Sequence, residues 1–100
     1  MKPNNRLLRG AMWGRGDIIK AALASGADPN VKHPVCVGVT PLHEVVWRSS
    51  RSALAGLRLL IEAGADINAR ASSGRTPLGE ALDCGNIKAA EILREAGAIE

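Results

Sequence analysis

Aromatic residues are nearly missing from this chain: its 100 residues include two tryptophans, Trp13 and Trp47, and no Phe or Tyr. A core of 46% apolar composition must then be filled by Leu, Ile, Val and Ala, which suit thin, closely stacked layers better than one thick centre. Cysteine is scarce as well. Cys36 and Cys84 cannot make the disulfide framework of a small secreted domain, so no bridge and a reducing compartment are expected. No stretch approaches the roughly 20 apolar residues of a membrane span, and the first turns hold no apolar core of signal-peptide length. The expectation is a soluble, cytoplasmic protein with no membrane partner. Thirteen Lys and Arg against ten Asp and Glu give +3, well short of a dedicated nucleic-acid binder.

What the chain does have is repetition. "GADPN" at Gly26, "GADIN" at Gly64 and "GAIE" at Gly97 close three segments, and "GVTPLHE" with Thr40 and "GRTPLGE" with Thr76 open two of them, 36 residues apart. A period of this length belongs to a stacked array of supersecondary units. Before each closing glycine lies one helical face with i, i+3, i+4, i+7 spacing: Ile18, Ala21, Ala22, Ser25; Gly56, Leu59, Leu60, Ala63; Ala89, Ile92, Leu93, Ala96. Glycine tolerates the left-handed C-cap that stops such a helix. Thr40 and Thr76 suit an N-cap and Pro41 and Pro77 the first helical position, so a shorter helix precedes each long one. Helix pairs are predicted at 5–13 and 16–25, 41–48 and 52–63, and 77–84 and 87–96, with extended, turn-rich connectors near 27–39 and 65–75.

"TPLHEVV" followed by "LLIEAGADINARASSGRTPL" resembles the ankyrin repeat, whose signature is T-P-L-H-x-A in a unit of about 33 residues. The resemblance implies an all-α solenoid of stacked helix-turn-helix units with short extended or β-hairpin connectors. One domain over 1–100 would hold an atypical first repeat (1–37), a central one (38–73) and a last one (74–100). It also implies that His43 is scaffold, tying the start of its helix to the neighbouring connector.

Departures from the pattern are informative. From Thr40 to Gly64 is three residues longer than from Thr76 to Gly97, and the gain is expected in "RSSRS", between the helices of the central repeat. The connector holding "VKHPVCVGV" is two residues longer than its successor. The first repeat lacks Thr-Pro-Leu-His, and the third has Gly79 in place of the histidine. Terminal repeats are expected to be atypical, and Gly79 should soften the third by roughly 1 kcal/mol relative to alanine.

The family resemblance implies binding of a protein partner, as adaptor, scaffold or inhibitor, by a monomer without cofactor. Mapped residue by residue, its recognition face includes Trp13, Trp47, Arg48 and Asp83 at the ends of the first helices. Val39 and Arg75 lie just before the caps, with Arg51 close by. Trp and Arg are the residues that most often anchor interfaces. A tryptophan equally suits covering a gap between repeats, and both readings stay open. Arg48, Arg51 and Arg58 form a local charge excess, with Arg15 nearby in the first repeat; they allow the alternative of an anionic ligand, a phosphorylated segment or nucleic acid. A further alternative is a segment of a longer array, although Met1 and the closing "GAIE" read as a complete short chain.

No catalytic set emerges. His33 and Cys36 in "HPVC" have a metal-like spacing but lack the two further ligands of a structural zinc site, and Lys32 alone is near enough to activate Cys36. Asp28 and Asp66 fit turn-fixing roles, not a carboxylate pair. No glycine-rich phosphate loop is present. The expectation is a protein that is not an enzyme and holds no metal.

Overall fold

A computed structural model describes residues 2–99, so the outermost positions of the first and last repeats, Met1 and Glu100, lie outside the described residues. Six helices follow one another in pairs: α1 (Pro3–Trp13) and α2 (Gly16–Ala24), α3 (Pro41–Val45) and α4 (Arg51–Glu62), α5 (Pro77–Asp83) and α6 (Ile87–Glu95). The first helices of the pairs pack on one another, as do the second helices, which makes two helical layers. Between them Leu7, Ile19, Leu42, Leu57, Leu60, Leu78 and Leu93 are fully buried, joined by small residues such as Ala11, Ala22, Ala53 and Ala89. The aliphatic composition thus serves thin layers.

The closing "Gly-Ala" is a helix stop with a physical reason. Gly26, Gly64 and Gly97 have φ of 94°, 94° and 102°, the left-handed region that glycine enters at little cost. The alanine after each sends its N–H back to a helix carbonyl five residues earlier: Ala27 to Ala22, Ala65 to Leu60 and Ala98 to Leu93, at 2.9–3.0 Å. Asp28 and Asp66 then accept from the N–H of Asn30 (2.9 Å) and Asn68 (3.0 Å), fixing the turn into the connector.

The connectors carry no assigned strand among the described residues, yet each closes like a hairpin. His33 N–H donates to Val39 O (2.7 Å), and Ala71 N–H to Arg75 O (3.0 Å). Ser72 N–H reaches back to Val37 O (3.1 Å), so consecutive connectors stack as the helices do.

Two expectations about the central repeat need correction. α3 ends at Val45 instead of 48, which leaves Trp47 and Arg48 in the link to α4. The buried, β-branched Val45 and Val46 favour helix weakly. Past Val45 the carbonyls of Val46 and Arg48 are taken by Asn86 Nδ2 from the next repeat, at 2.8 and 2.9 Å, so they need no helical partner. Nor does the three-residue gain lie in the loop. Thr40 to Ser50 and Thr76 to Asn86, cap to cap, are both ten residues, whereas α4 has 12 residues and α6 has 9. Ser50 caps α4 by accepting from Ala53 N–H (3.1 Å), so the insertion becomes one extra helical turn.

Candidate interaction surface

Where one repeat meets the next, polar side chains capture backbone. His43 is buried; its Nδ1 accepts from Thr40 N–H (3.1 Å), Thr40 Oγ1 lies 2.9 Å from the same nitrogen, and Nε2 donates to Arg75 O (2.9 Å). Asn30 and Asn68 each accept an N–H from the following repeat, from Asp66 and Ile99 at 2.6 and 2.9 Å, and Asn4 accepts that of Asp28 within the first at 2.8 Å. Asn86 and this asparagine ladder escaped the sequence reading. Their signals were the last letter of "GADPN" and "GADIN" and an Asn before an apolar run.

These clamps decide which predicted residues are free for a partner. Val39 is half-buried with its carbonyl in the hairpin closure, and the Arg75 carbonyl is shared by Ala71 N–H and His43. Arg48 Nε donates to Met12 O (3.1 Å) and the side chain lies against Gly14, so this arginine joins the first two repeats. Trp13 and Trp47 protrude, at 62% and 45% exposure. The Trp47 indole N–H donates to Glu80 Oε2 (3.0 Å), and Arg75 pairs with Asp83 while its Nη1 sits 3.9 Å from Glu80 Oε1. Trp47, Arg75 and Asp83 are therefore brought together, in a polar chain across the second and third repeats. Because the Arg48 bond to Met12 joins the link after α3 to the end of α1, Trp13 and Trp47 stand on the same side of the stack, at the C-terminal ends of the first helices of two adjacent repeats.

The arginines of the charge excess differ in what surrounds them. Arg51 is exposed on the first turn of α4, while Arg58 shares a shallow depression with Glu62 and Glu95. Arg15 is paired with Asp17 at 2.9 Å, and that bond raises the guanidinium pKa and lowers the carboxyl's.

His33 Nδ1 accepts from the N–H of both Val35 and Cys36, at 3.1 Å each, which makes "HPVC" a ring-braced turn. Cys36 and Cys84 are free and exposed, and no group of three or more potential metal ligands occurs among the described residues. Among those residues, too, no helix is long and apolar enough to cross a membrane. Glu44, in "TPLHE", was assigned no role by its sequence, yet it is 1% exposed and its Oε1 has no hydrogen-bond partner. Desolvation pushes its pKa up to about 7.

Paired helices stacked through glycine-stopped turns and hairpin connectors define an α-helical repeat solenoid, a class whose members present a continuous surface built from several units. The chain belongs to the ankyrin-repeat family: the model "Ankyrin repeats (3 copies)" matches residues 7–99. Such repeats are generally protein-interaction modules. The potassium channel SKOR of Arabidopsis thaliana is 38% identical over 86 residues, which is 83% of this chain and 9% of the channel. The potassium channel KOR2 of Oryza sativa subsp. japonica is 38% identical over 95 residues, 91% of this chain and 12% of that protein. A putative ankyrin repeat protein of Rickettsia felis is 38% identical over 74 residues, covering 72% of this chain and 32% of the relative. The chain thus spans about a tenth to a third of the length of these relatives.

Proposed function

We propose that this chain is a non-catalytic protein-interaction module, working as adaptor, scaffold or inhibitor in the cytoplasm. Its three repeats, 1–37, 38–73 and 74–100, act as one monomeric domain. The observation that carries the reading is the pair of protruding tryptophans at the ends of the first helices of two adjacent repeats. Trp13 projects beside Arg9, Arg15 and Ile18 with most of its surface outward, and Trp47 is held by Glu80 while nearly half its surface faces out. Large rings pre-set in this way are what hot spots use.

An anionic ligand held by several arginines is less well supported, because Arg48 is engaged with Met12 O and Arg58 has carboxylates beside it. A role as one segment of a larger protein draws support from the small share of each relative that the chain spans.

The test is capture of partner proteins from a native lysate with the wild type and a Trp13→Ala, Trp47→Ala variant, their folds matched by circular dichroism. A protein retained by the wild type and lost by the variant supports the reading. Equal retention by both would move the interface elsewhere, and salt-sensitive capture of nucleic acid would replace it.

A further inference from the structure

The link between α3 and α4 is drawn against the start of α6 by Asn86, whose Nδ2 holds Val46 O and Arg48 O while its Oδ1 accepts from Ala89 N–H (3.2 Å). Beside this clasp lies a depression of about 320 Å³ between the second and third repeats. Trp47 and Ile87 form its apolar wall, with Ser49, Cys84 and Lys88 around them. Ile87 is 70% exposed at the first helical position of α6, and no neighbour covers it. The backbone beneath does not adapt easily, since Asn86 spends its hydrogen bonds on three points of two repeats.

Charge selects among occupants. No carboxylate lines the depression, and Lys88 has no ion-pair partner among the described residues. The acids on the other side of Trp47 are spoken for: Asp83 pairs with Arg75, and Glu80 accepts from the indole. An apolar slot with one uncompensated ammonium favours an acidic visitor that also brings an apolar side chain. A second copy of this chain, itself at +3, is the poorer electrostatic match.

We propose that this depression docks a short acidic segment of a partner protein, one apolar side chain lying between Trp47 and Ile87 while a neighbouring Asp or Glu meets Lys88. The proposal rests on the protein-interaction reading and extends the contact face from the helix ends into the junction of two repeats. Trp47 would then serve both surfaces, and Ile87 and Lys88 this one alone.

The experiment selects a random library of peptides of about a dozen residues on the full chain and measures the enriched peptides by fluorescence anisotropy. Enriched sequences are expected to pair a large apolar residue with an adjacent Asp or Glu. Lys88→Glu and Ile87→Ser should each weaken binding by about tenfold or more, with Lys20→Glu on α2 as the inert charge control. In a Cys36→Ser background, saturating peptide should slow alkylation of Cys84 by N-ethylmaleimide. Failure of any peptide to enrich, enrichment without acidic residues, or binding indifferent to both Lys88→Glu and Ile87→Ser overturns the proposal. Peptides lost on Trp13→Ala but untouched by those two substitutions would leave the broader interaction reading standing while removing this site, and nucleic acid competing at Lys88 would replace the protein segment.

Discussion

His43 Nε2 lies 2.9 Å from the carbonyl oxygen of Arg75, a bond from the first helix of the central repeat to the connector that opens the third. The other ring nitrogen accepts the N–H of Thr40, so one neutral imidazole, protonated on Nε2, satisfies backbone groups of two repeats at once. His43→Ala leaves the Thr40 N–H without this acceptor, takes from Arg75 O one of its two donors, Ala71 N–H keeping the other, and opens a small cavity, and should cost about 2–4 kcal/mol. Denaturant unfolding measures the loss. Amide exchange should also quicken first around residues 75–83, and a loss spread evenly along the chain would contradict the bridging role.

Two glycines of the second layer leave no room for a side chain between α2 and α4. A Cβ on Gly16 would stand 2.6 Å from the carbonyl oxygen of Ser52, whose hydroxyl accepts the Gly16 N–H at 2.7 Å. A Cβ on Gly56 would meet the tip of Ile19 at 2.5 Å, a side-chain atom that can swing away. Overpacking against backbone costs about 1–3 kcal/mol, while alanine in a helix interior regains up to about 1 kcal/mol over glycine. Gly16→Ala is therefore expected to lower the melting temperature clearly and Gly56→Ala to leave it nearly unchanged. The reverse order would show that α2 and α4 meet differently.

The positions of these glycines show what was legible beforehand. Repeat period, helix-pair order and glycine stops follow from short-range chemistry, and all six helices lie within a few residues of their expected places. The length of α3 was hidden because it depends on Asn86, some 40 residues away, capturing carbonyls that would otherwise have continued the helix, and the site of the extra turn because Ser50, one of several serines in "RSSRS", is the one that caps α4. The candidate surface was legible in part. Trp13 and Trp47 could be placed at helix ends by counting, but nothing local distinguishes Arg48, bound to a backbone carbonyl, from Arg51, exposed to solvent.

Trp47 and Asn86 separate recognition from stability. The indole of Trp47 makes one exposed hydrogen bond, to Glu80, and only a little over half of the residue is covered, so Trp47→Ala should cost about 1–2 kcal/mol. Asn86 is buried and serves two carbonyls and the α6 N-terminus, so Asn86→Ala should cost about 2–4 kcal/mol. Thermal melts of the two variants decide the matter: a Trp47→Ala loss as large as that of Asn86→Ala would make the ring a packing element between repeats.

The third repeat should be the softer end. Gly79 occupies the place of His43, its N–H bonded to Thr76 Oγ1 (3.1 Å), and no imidazole there holds a following carbonyl. Leu82 is 47% exposed where its counterpart Val46 is fully buried. With fewer apolar contacts to break, α5 and α6 are expected to exchange amide hydrogens faster than α3 and α4. Equal protection in all pairs would mean that the stack opens as one unit.

Glu44 should make stability depend on pH. Its carboxyl is buried with Oε1 unpartnered, and desolvation raises its pKa from 4.5 to about 7. Between these values the folded chain holds a proton that the unfolded chain has released, so stability falls as pH rises. The contribution is whole below about pH 4.5, declines as the pH passes through 7 and is gone above it, a change of roughly 3 kcal/mol at most. Glu44→Gln keeps the shape without the titration and should flatten this slope, making the variant more stable than the wild type at pH 8 but not at pH 5. Urea unfolding of both proteins across that range is the check. Parallel curves would show that water or a neighbouring group reaches the carboxylate and that Glu44 ionises at no cost.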